Sequence, residues 1–528
     1  MAKTSPPCVK ASLARLRLDA ERERSVEAPL FSDAAEADDA TGWPSHPFDR
    51  LDGDKFREEC GIFGIWGAPD AASYAALGLH ALQHRGQEAA GVVSLSPESG
   101  AFSVVRKPGY VRDNFTDPAT IERLPGVHAL GHTRYATAGS RGPTEIRNIQ
   151  PLYAELANGP LAIAHNGNLT NAEALRAELV QSGSIFQSSS DTECIIHLMA
   201  RSIQRSTSER LRDALRRVEG AFSVVSLTRQ GMIGVRDALG VRPLVIGRRD
   251  GAYVLTSETV ALDIVGAEVV REVEPGEMVV IDEHGLHSER LFPSQPSRFC
   301  IFEYVYFSRP DSAIGGLSVY EARRRIGEEL AREKPVQADL VCPIPDSGAP
   351  SAIGFAAASG IELALGIVKN QYVGRTFIEP TQQIRNMGVR LKLNVNRKLV
   401  EGKRVALVDD SVVRGTTSRK IKEMLLEAGA REVHFRIASP PTAWPCFYGV
   451  DTPDRENLLA ASMGPEQMRD ALGVDSLEFI SLDGLYRAVG SPDGRNPASP
   501  SFCDACFSGM YPVPPSDQIA KGFRGADG

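Results

Sequence analysis

From Cys60 to about residue 280 the chain is written in short apolar runs broken by glycine: CGIFGIWG, HALGHTRY, LAIAHNGNL, GAFSVVSL and GMIGVRD. Runs of this length bounded by turn formers predict buried strands. Between them, YAALGLHALQHRGQEAAG and DTECIIHLMARSI carry apolar residues at helical spacing. The mixture predicts a layered α+β architecture. Beyond Arg298 the rhythm changes. ADLVCPIP, RVALVDD and REVHFRIASPP read as strands, with helical stretches near SAIGFAAASG and over SRKIKEMLLEA between them. Strand and amphipathic helix in alternation predict βαβ units and a parallel sheet. No internal repeat is visible.

The first 50 or so residues carry no sustained apolar period, apart from the amphipathic hint ASLARLRL, and read as an extension that cannot bury a core. Its arginines suit an organelle transit peptide, but Asp19, Glu21, Glu23 and Glu27 break the acid-poor pattern of such peptides. A chain of 528 residues exceeds the size at which one core keeps growing, so two catalytic-sized domains are expected.

Composition narrows the classes. With 42% hydrophobic and 24% charged residues and no long apolar run, a membrane role is excluded. A net charge of −8 argues against a nucleic-acid-binding surface, so any phosphate must be held by local geometry. Eight cysteines are too sparse for a disulfide framework, and no secretory signal opens the chain. A reducing, cytoplasmic setting follows, with catalysis or metal binding as the cysteine roles to consider.

Cys60 begins an apolar, glycine-punctuated strand in FREECGIFGIWG. Cleavage after Glu59 would give it a free α-amino group, which titrates near ~7.7–8.0 against ~10.4 for lysine and so can serve as general base beside its own thiol. Taken singly, such a cysteine is more often a buried inert thiol, and HNG more often a turn. Downstream, GHTRYAT, HNGNL and SSDTE follow in order. With these motifs the chain from Cys60 to Pro512 resembles the glutamine phosphoribosylpyrophosphate amidotransferases. The resemblance implies an αββα N-terminal-nucleophile hydrolase sandwich at residues 60–290, preceded by a leader (1–59) removed at least at its end. It makes Cys60 the nucleophile attacking the glutamine carboxamide, and Asn166 with the Gly167 backbone N–H the oxyanion hole. Arg134 would pair with the glutamine α-carboxylate and Asp191 with its ammonium.

RVALVDDSVVRGTTSRK is the strongest single motif. Val405 to Val408 suit a buried parallel strand, Asp409 and Asp410 fall where it ends, and Arg414, Gly415, Thr416, Thr417 and Ser418 lead into a helix with Ile421, Met424, Leu425 and Ala428 on one face. A glycine turn opening a helix is a phosphate site. It lacks the Gly-Lys-Ser/Thr ending of a nucleotide-triphosphate loop, and no dinucleotide fingerprint is present. The segment resembles the type I phosphoribosyltransferase signature, which implies an α/β domain with a mostly parallel sheet at residues 291–515. By that resemblance Asp409, Asp410 and Ser411 meet the ribose and Mg²⁺, Arg414 to Ser418 take the 5-phosphate, and Ser347 in CPIPDSGAP completes the Mg²⁺ surroundings. Tyr372 and Arg375, in a basic stretch like the family's flexible loop, become lid contacts over phosphoribosyl pyrophosphate.

Cys503 and Cys506 form a CxxC, and Cys300 and Cys446 make up a set of four. Four thiolates suit tetrahedral zinc or a [4Fe-4S] cluster, and spacing does not choose. Resemblance to the iron–sulfur subclass implies the cluster, one per subunit alongside one Mg²⁺. It also implies purine nucleotides as feedback inhibitors and a homotetramer. The last residues, 516–528, read as a flexible tail. Two other functions compete: a glutamine amidotransferase with a different acceptor, which would lack VDDSVVRGTT, and a ligand-binding regulator without catalysis, which would not need the full set from Cys60 to Asp191.

Overall fold

The computed structural model of the chain describes residues 60–134, 146–370 and 392–526. The leader and the lid positions Tyr372 and Arg375 therefore lie outside the described residues.

Thirteen strands build two stacked antiparallel sheets. They are β1 (Gly61–Trp66), β2 (Ala89–Leu95), β3 (Phe102–Pro108), β4 (His128–Arg134), β5 (Leu152–Leu156), β6 (Gly159–Leu169), β7 (Gly220–Thr228), β8 (Met232–Arg236), β9 (Val245–Arg249), β10 (Ala252–Thr256), β11 (Glu268–Glu272), β12 (Glu277–Asp282) and β13 (Gly285–Arg290). The orders are β11-β9-β10-β1-β4-β2-β3 and β13-β12-β8-β7-β6-β5. Side chains alternate between faces along a strand, and the core divides accordingly. Ile62 joins Val93, Leu130, Ala162, Ala164, Val225, Leu227 and Ile281 between the sheets. Phe63 and Ile65 point the other way, into a cluster with Leu79 and Ala75 of the helix Ala71–Ala81 and Leu262 of the helix Val260–Val265. On the outer face of the second sheet, Ile163, Phe222 and Val224 pack on Leu175, Ile195 and Leu211 from three further helices. Both faces of each sheet are thus covered, giving the αββα sandwich.

The long helix expected over residues 74–91 stops at Ala81, and Ala89–Leu95 is instead the strand β2, between β4 and β3. Two facts decide this: Gly86 lies so close to the Thr133–Arg134 backbone that a β-carbon would sit 2.6 Å away, and the Glu88 N–H donates to the Arg134 carbonyl at 3.1 Å. Sheet pairing outweighs local helix propensity there.

Two short pairs follow. β14 (Phe299–Cys300) runs parallel to β23 (Phe502–Cys503), and β15 (Ala313–Ile314) forms a hairpin with β16 (Leu317–Ser318). The third main sheet is parallel throughout, in the order β17 (Leu340–Pro343), β20 (Arg404–Asp409), β21 (Glu432–Ile437), β22 (Ser476–Phe479). A small pair, β18 (Ile367–Lys369) and β19 (Leu393–Val395), lies beside it in sequence. Along β20, Ala406 and Val408 enter one core and Val405 and Leu407 another, which is why the run VALV carries no alternation. The expected tail takes a different form: Ser516–Ala520 is a helical turn, anchored by side-chain hydrogen bonds rather than by an apolar face.

Candidate active sites

Cys60 is buried directly ahead of β1 and opens on a cavity of about 810 Å³. Arg134, Gly167 and Asp191 line the same cavity. β1 and β4 are antiparallel neighbours, pairing Gly61 with Thr133, so the fold brings Cys60 and Arg134 together across 74 residues of sequence. The Gly61 N–H donates to Thr133 Oγ1 and the Ile62 N–H to Ser257 Oγ, both at 3.0 Å, which fixes the chain immediately after the thiol. Cys60 has φ +27°, in a region that residues with a β-carbon avoid.

Asn166 and Gly167 sit on β6, opposite Ser223 and Phe222 of β7. By the two-residue period that places Ala162 and Ala164 between the sheets, Asn166 faces the first sheet. It is fully buried, and neither its Nδ2 nor its Oδ1 has a hydrogen-bond partner among the described residues. Arg134 Nη1 is likewise buried and unpartnered. Buried polar atoms of this kind are rare unless a ligand or water meets them. Gly167 has φ +137°, and a β-carbon there would lie 2.0 Å from the Ala221 carbonyl oxygen, so only glycine lets β6 run so close to β7.

Asp191 both caps a helix and faces the cavity. It stands at the start of the helix Thr192–Arg201, accepting the Thr192 N–H at 2.8 Å, and also faces the cavity. Its second oxygen accepts the Leu169 N–H at 3.0 Å. Burial opposes its charge, but His165 at 3.7 Å and the two backbone donors outweigh that and hold its pKa below the ordinary carboxylate value. Sequence reasoning missed His165, whose Nδ1 meets Thr192 Oγ1 at 3.3 Å, and Gln150, whose side chain accepts the His165 N–H at 2.7 Å and donates to Thr192 Oγ1 at 3.1 Å. His165 belongs to HNGNL, so the motif itself was the available signal.

In the parallel sheet, Asp409, Asp410 and Ser411 are buried at the C-terminal end of β20. The Asp410 N–H donates to Asp409 Oδ1 at 2.9 Å and Ser411 Oγ to Asp410 Oδ1 at 2.7 Å. Gly415, with φ +76°, turns the chain into the twelve-residue helix Thr416–Glu427, and Ser418 is buried in its first turn. Arg414, Thr416 and Thr417 flank that turn. Ser347 is half-buried on the loop after β17. That loop abuts the same strand end: a β-carbon on Gly348 would come within 2.5 Å of the Val408 carbonyl. Lys369 reaches it too, pairing with Asp346 at 2.5 Å.

Cys300 and Cys503 are register partners of β14 and β23, and the Cys446 sulfur accepts the Tyr448 N–H at 3.4 Å. Burial pushes the Cys503 and Cys506 thiols well up, with the other cysteines of the set adding to the rise. Among the described residues no group of three or more His, Cys, Asp and Glu converges as a preformed metal cage. No helix among them is long and apolar enough to cross a membrane.

Residues 141–263 match the family model described as a glutamine amidotransferase domain. Fold and match together define a glutamine-dependent amidotransferase joined to a parallel-sheet domain. An amidophosphoribosyltransferase of Rhizobium etli is 54% identical over 478 residues, covering 89% of this chain and 95% of that protein. The solved glutamine phosphoribosylpyrophosphate amidotransferase of Bacillus subtilis, complexed with ADP and GMP, is 47% identical with a TM-score of 0.81, covering 86% of this chain and 98% of that one. A second structure, described as the allosteric regulatory enzyme of purine biosynthesis, matches at the same identity and TM-score over 86% of this chain and 96% of its own. The chain belongs to the amidophosphoribosyltransferase family. Its activity is the family's: a glutamine-dependent glycosyltransferase acting at the first step of purine biosynthesis.

Proposed function

We propose that residues 60–290 hydrolyse glutamine and residues 291–515 join the released ammonia to C1 of 5-phosphoribosyl 1-pyrophosphate, giving 5-phosphoribosylamine, glutamate and pyrophosphate. The observation that carries this reading is the shared cavity of Cys60, Arg134, Gly167 and Asp191, with the buried Asn166 amide, unpartnered among the described residues, next to Gly167 in the chain.

Cleavage after Glu59 frees the Cys60 amine, which takes the thiol proton, and the sulfur attacks the carboxamide carbon. The Asn166 Nδ2 and the Gly167 N–H donate to the oxygen that becomes negative. The amine returns its proton to the departing ammonia, leaving a thioester that water hydrolyses to glutamate. Arg134 grips the α-carboxylate and Asp191 the ammonium, so the reacting carbon is held in place before attack. Cleavage also removes the φ constraint that now holds Cys60 at +27°.

At the second site Asp409 and Asp410 accept from the ribose hydroxyls, and the backbone donors of Arg414 to Ser418 take the 5-phosphate at the positive end of their helix. The oxygen donors Asp409, Asp410 and Ser347 suit Mg²⁺, which when bound offsets pyrophosphate charge. Pyrophosphate leaves, and ammonia attacks C1 from the opposite face. Tyr372 and Arg375 act as lid contacts. Cys300, Cys446, Cys503 and Cys506 suit a [4Fe-4S] cluster on the chemistry of their donor set, four cysteine sulfurs, of which Cys300, Cys446 and Cys503 each add to the rise in the Cys506 pKa. Such a cluster would serve structure rather than the reaction, at a place where β14 and β23 already bring Cys300 beside Cys503. Purine nucleotides inhibit by feedback, consistent with the ADP and GMP bound to the Bacillus subtilis protein. The assembly is a cytoplasmic homotetramer.

The test is direct. Given glutamine, phosphoribosyl pyrophosphate and Mg²⁺, the purified protein releases glutamate and pyrophosphate in step, and its intact mass begins at Cys60. Folded protein that turns over glutamine with Met1 still attached refutes the amine mechanism. Folded protein that releases no pyrophosphate refutes the second half.

A further inference from the structure

The C-terminal stretch that follows β21 reaches back to the glutamine cavity at two points, Phe447 and Asp517. Asn168, the residue after Gly167, donates through Nδ2 to the Phe447 carbonyl at 3.0 Å, a contact spanning 279 residues. Asp517 lies against the loop that follows β6: its N–H donates to the Thr170 carbonyl at 2.9 Å, and its carboxylate accepts the Glu173 N–H at 2.7 Å and the Ala174 N–H at 3.2 Å. Those two amides belong to the first turn of the ten-residue helix Ala172–Gln181. Its own cap residue, Asn171, makes no cap bond; its side chain joins the Arg217 carbonyl and the Glu219 N–H instead. Asp517 therefore caps this helix from 344 residues away. Lys521 adds a 2.6 Å pair with Glu173. Asn168, Thr170, Ala172, Glu173, Phe447 and Asp517 all line the cavity that holds Cys60.

Gly167 needs such support. Its φ of +137° departs from ordinary strand geometry, and an N–H that serves an oxyanion loses effect when it shifts by a fraction of an ångström. β7 fixes one side of it, and Leu169 is tied to Asp191. Asn168 pairs with Ala221 of β7 and the Thr170 N–H donates to the Glu219 carbonyl, and to these the Phe447 and Asp517 contacts add a second anchor from the other side of the sequence. We propose that Asn168 and Asp517 are positioning residues for glutamine hydrolysis, through which the C-terminal segment fixes the strand end carrying the Gly167 N–H. The proposal rests on the reading of Asn166 and Gly167 as the oxyanion pair. It differs from that reading in giving a role to residues that never touch the reacting atoms.

The experiment uses the full active protein and measures glutamine-dependent and ammonia-dependent pyrophosphate release side by side, with Asn166→Ala as reference. Asp517→Ala and Asn168→Asp are expected to lower glutamine-dependent kcat about tenfold with KM for glutamine within about twofold, while ammonia-dependent release stays at the parent rate. Asp517→Asn, which keeps a capping oxygen, restores most of the loss. Unchanged kcat in both variants overturns the proposal, as does a rise in KM alone or a parallel fall in the ammonia-dependent reaction. Asn168→Asp decides the matter by itself if Asp517→Ala does not fold. If Asn166→Ala keeps full glutaminase activity, the oxyanion reading fails instead.

Discussion

Asp191 accepts the backbone N–H of Leu169 at 3.0 Å, so the carboxylate assigned to the glutamine ammonium is tied to the end of the strand that carries Asn166 and Gly167. In the proposed mechanism, substrate recognition and oxyanion geometry therefore share one hydrogen-bonded unit. Asp191→Asn keeps the shape and removes the charge. The expected result is a rise in KM for glutamine of about ten- to a hundredfold, the worth of one charge-assisted hydrogen bond. Its pH consequence has a definite sign. Because the folded pKa lies below the ordinary value, Asp191 contributes stability that is present above the unfolded pKa and lost as pH falls through the folded one. Urea denaturation at a series of acid pH values will show a smaller acid-induced loss in Asp191→Asn than in the parent.

Asn166 offers the reverse balance between activity and stability. Among the described residues its buried amide has neither heteroatom partnered, and a buried amide without partners bears a desolvation cost. Asn166→Ala is expected to lower kcat for glutamine about 10²- to 10³-fold with KM nearly unchanged, and to leave Tm unchanged or raised. Steady-state kinetics with a thermal melt check both. A lowered Tm with kcat retained would mark the residue as structural.

Arg85 is fully buried between Glu258 and Glu303, with Nη2 at 2.5 Å from Glu303 Oε2, and Arg242 pairs with Glu303 from the other side at 2.9 Å. Burial opposes the charges of both carboxylates, but the cations around them hold their pKa values down. Arg85→Met leaves two buried carboxylates short of a partner and is expected to cost about 3–5 kcal/mol. In the variant their folded pKa values rise, so the deficit is largest near neutral pH and shrinks as pH falls and the carboxyls take up protons. Denaturant titrations of parent and variant at neutral and mildly acid pH read this directly; a deficit that grows in acid contradicts it.

How much of this was legible beforehand follows from where each signal lies. The runs IFGIW, LAIAH and VALVDD announce strands because both faces of those strands are buried, and a continuous apolar run bounded by glycine or aspartate needs no partner to be read. The motif residues Cys60, Arg134, Asn166, Gly167 and Asp191 were visible as short strings. Arg85, Gln150 and Asp517 were not, because their meaning is a contact with a distant residue: Arg85 meets Glu258 across 173 positions and Asp517 meets Glu173 across 344. The turn at Ser516–Ala520 escaped for a related reason. It has no buried residue of its own and is held by capping bonds, which leave no hydrophobic period in the sequence.

The two sites separate at Gly415. With φ +76° it turns β20's exit into the helix Thr416–Glu427, and a β-carbon would lie 2.8 Å from Leu472 Cδ2 and 3.1 Å from Leu459 Cδ2. A valine there adds backbone strain to that crowding and displaces the first helical turn, whose amides are proposed to take the 5-phosphate. Gly415→Val is expected to raise KM for phosphoribosyl pyrophosphate at least about tenfold in the ammonia-dependent reaction. The glutamine hydrolysis proposed at Cys60 belongs to a different sheet, and Gly415 does not line the Cys60 cavity, so glutamate release measured without phosphoribosyl pyrophosphate is expected to stay near the parent rate. Loss of both activities together would mean that the turn supports the whole fold rather than the phosphate, and a melt on the same preparation tells the two outcomes apart.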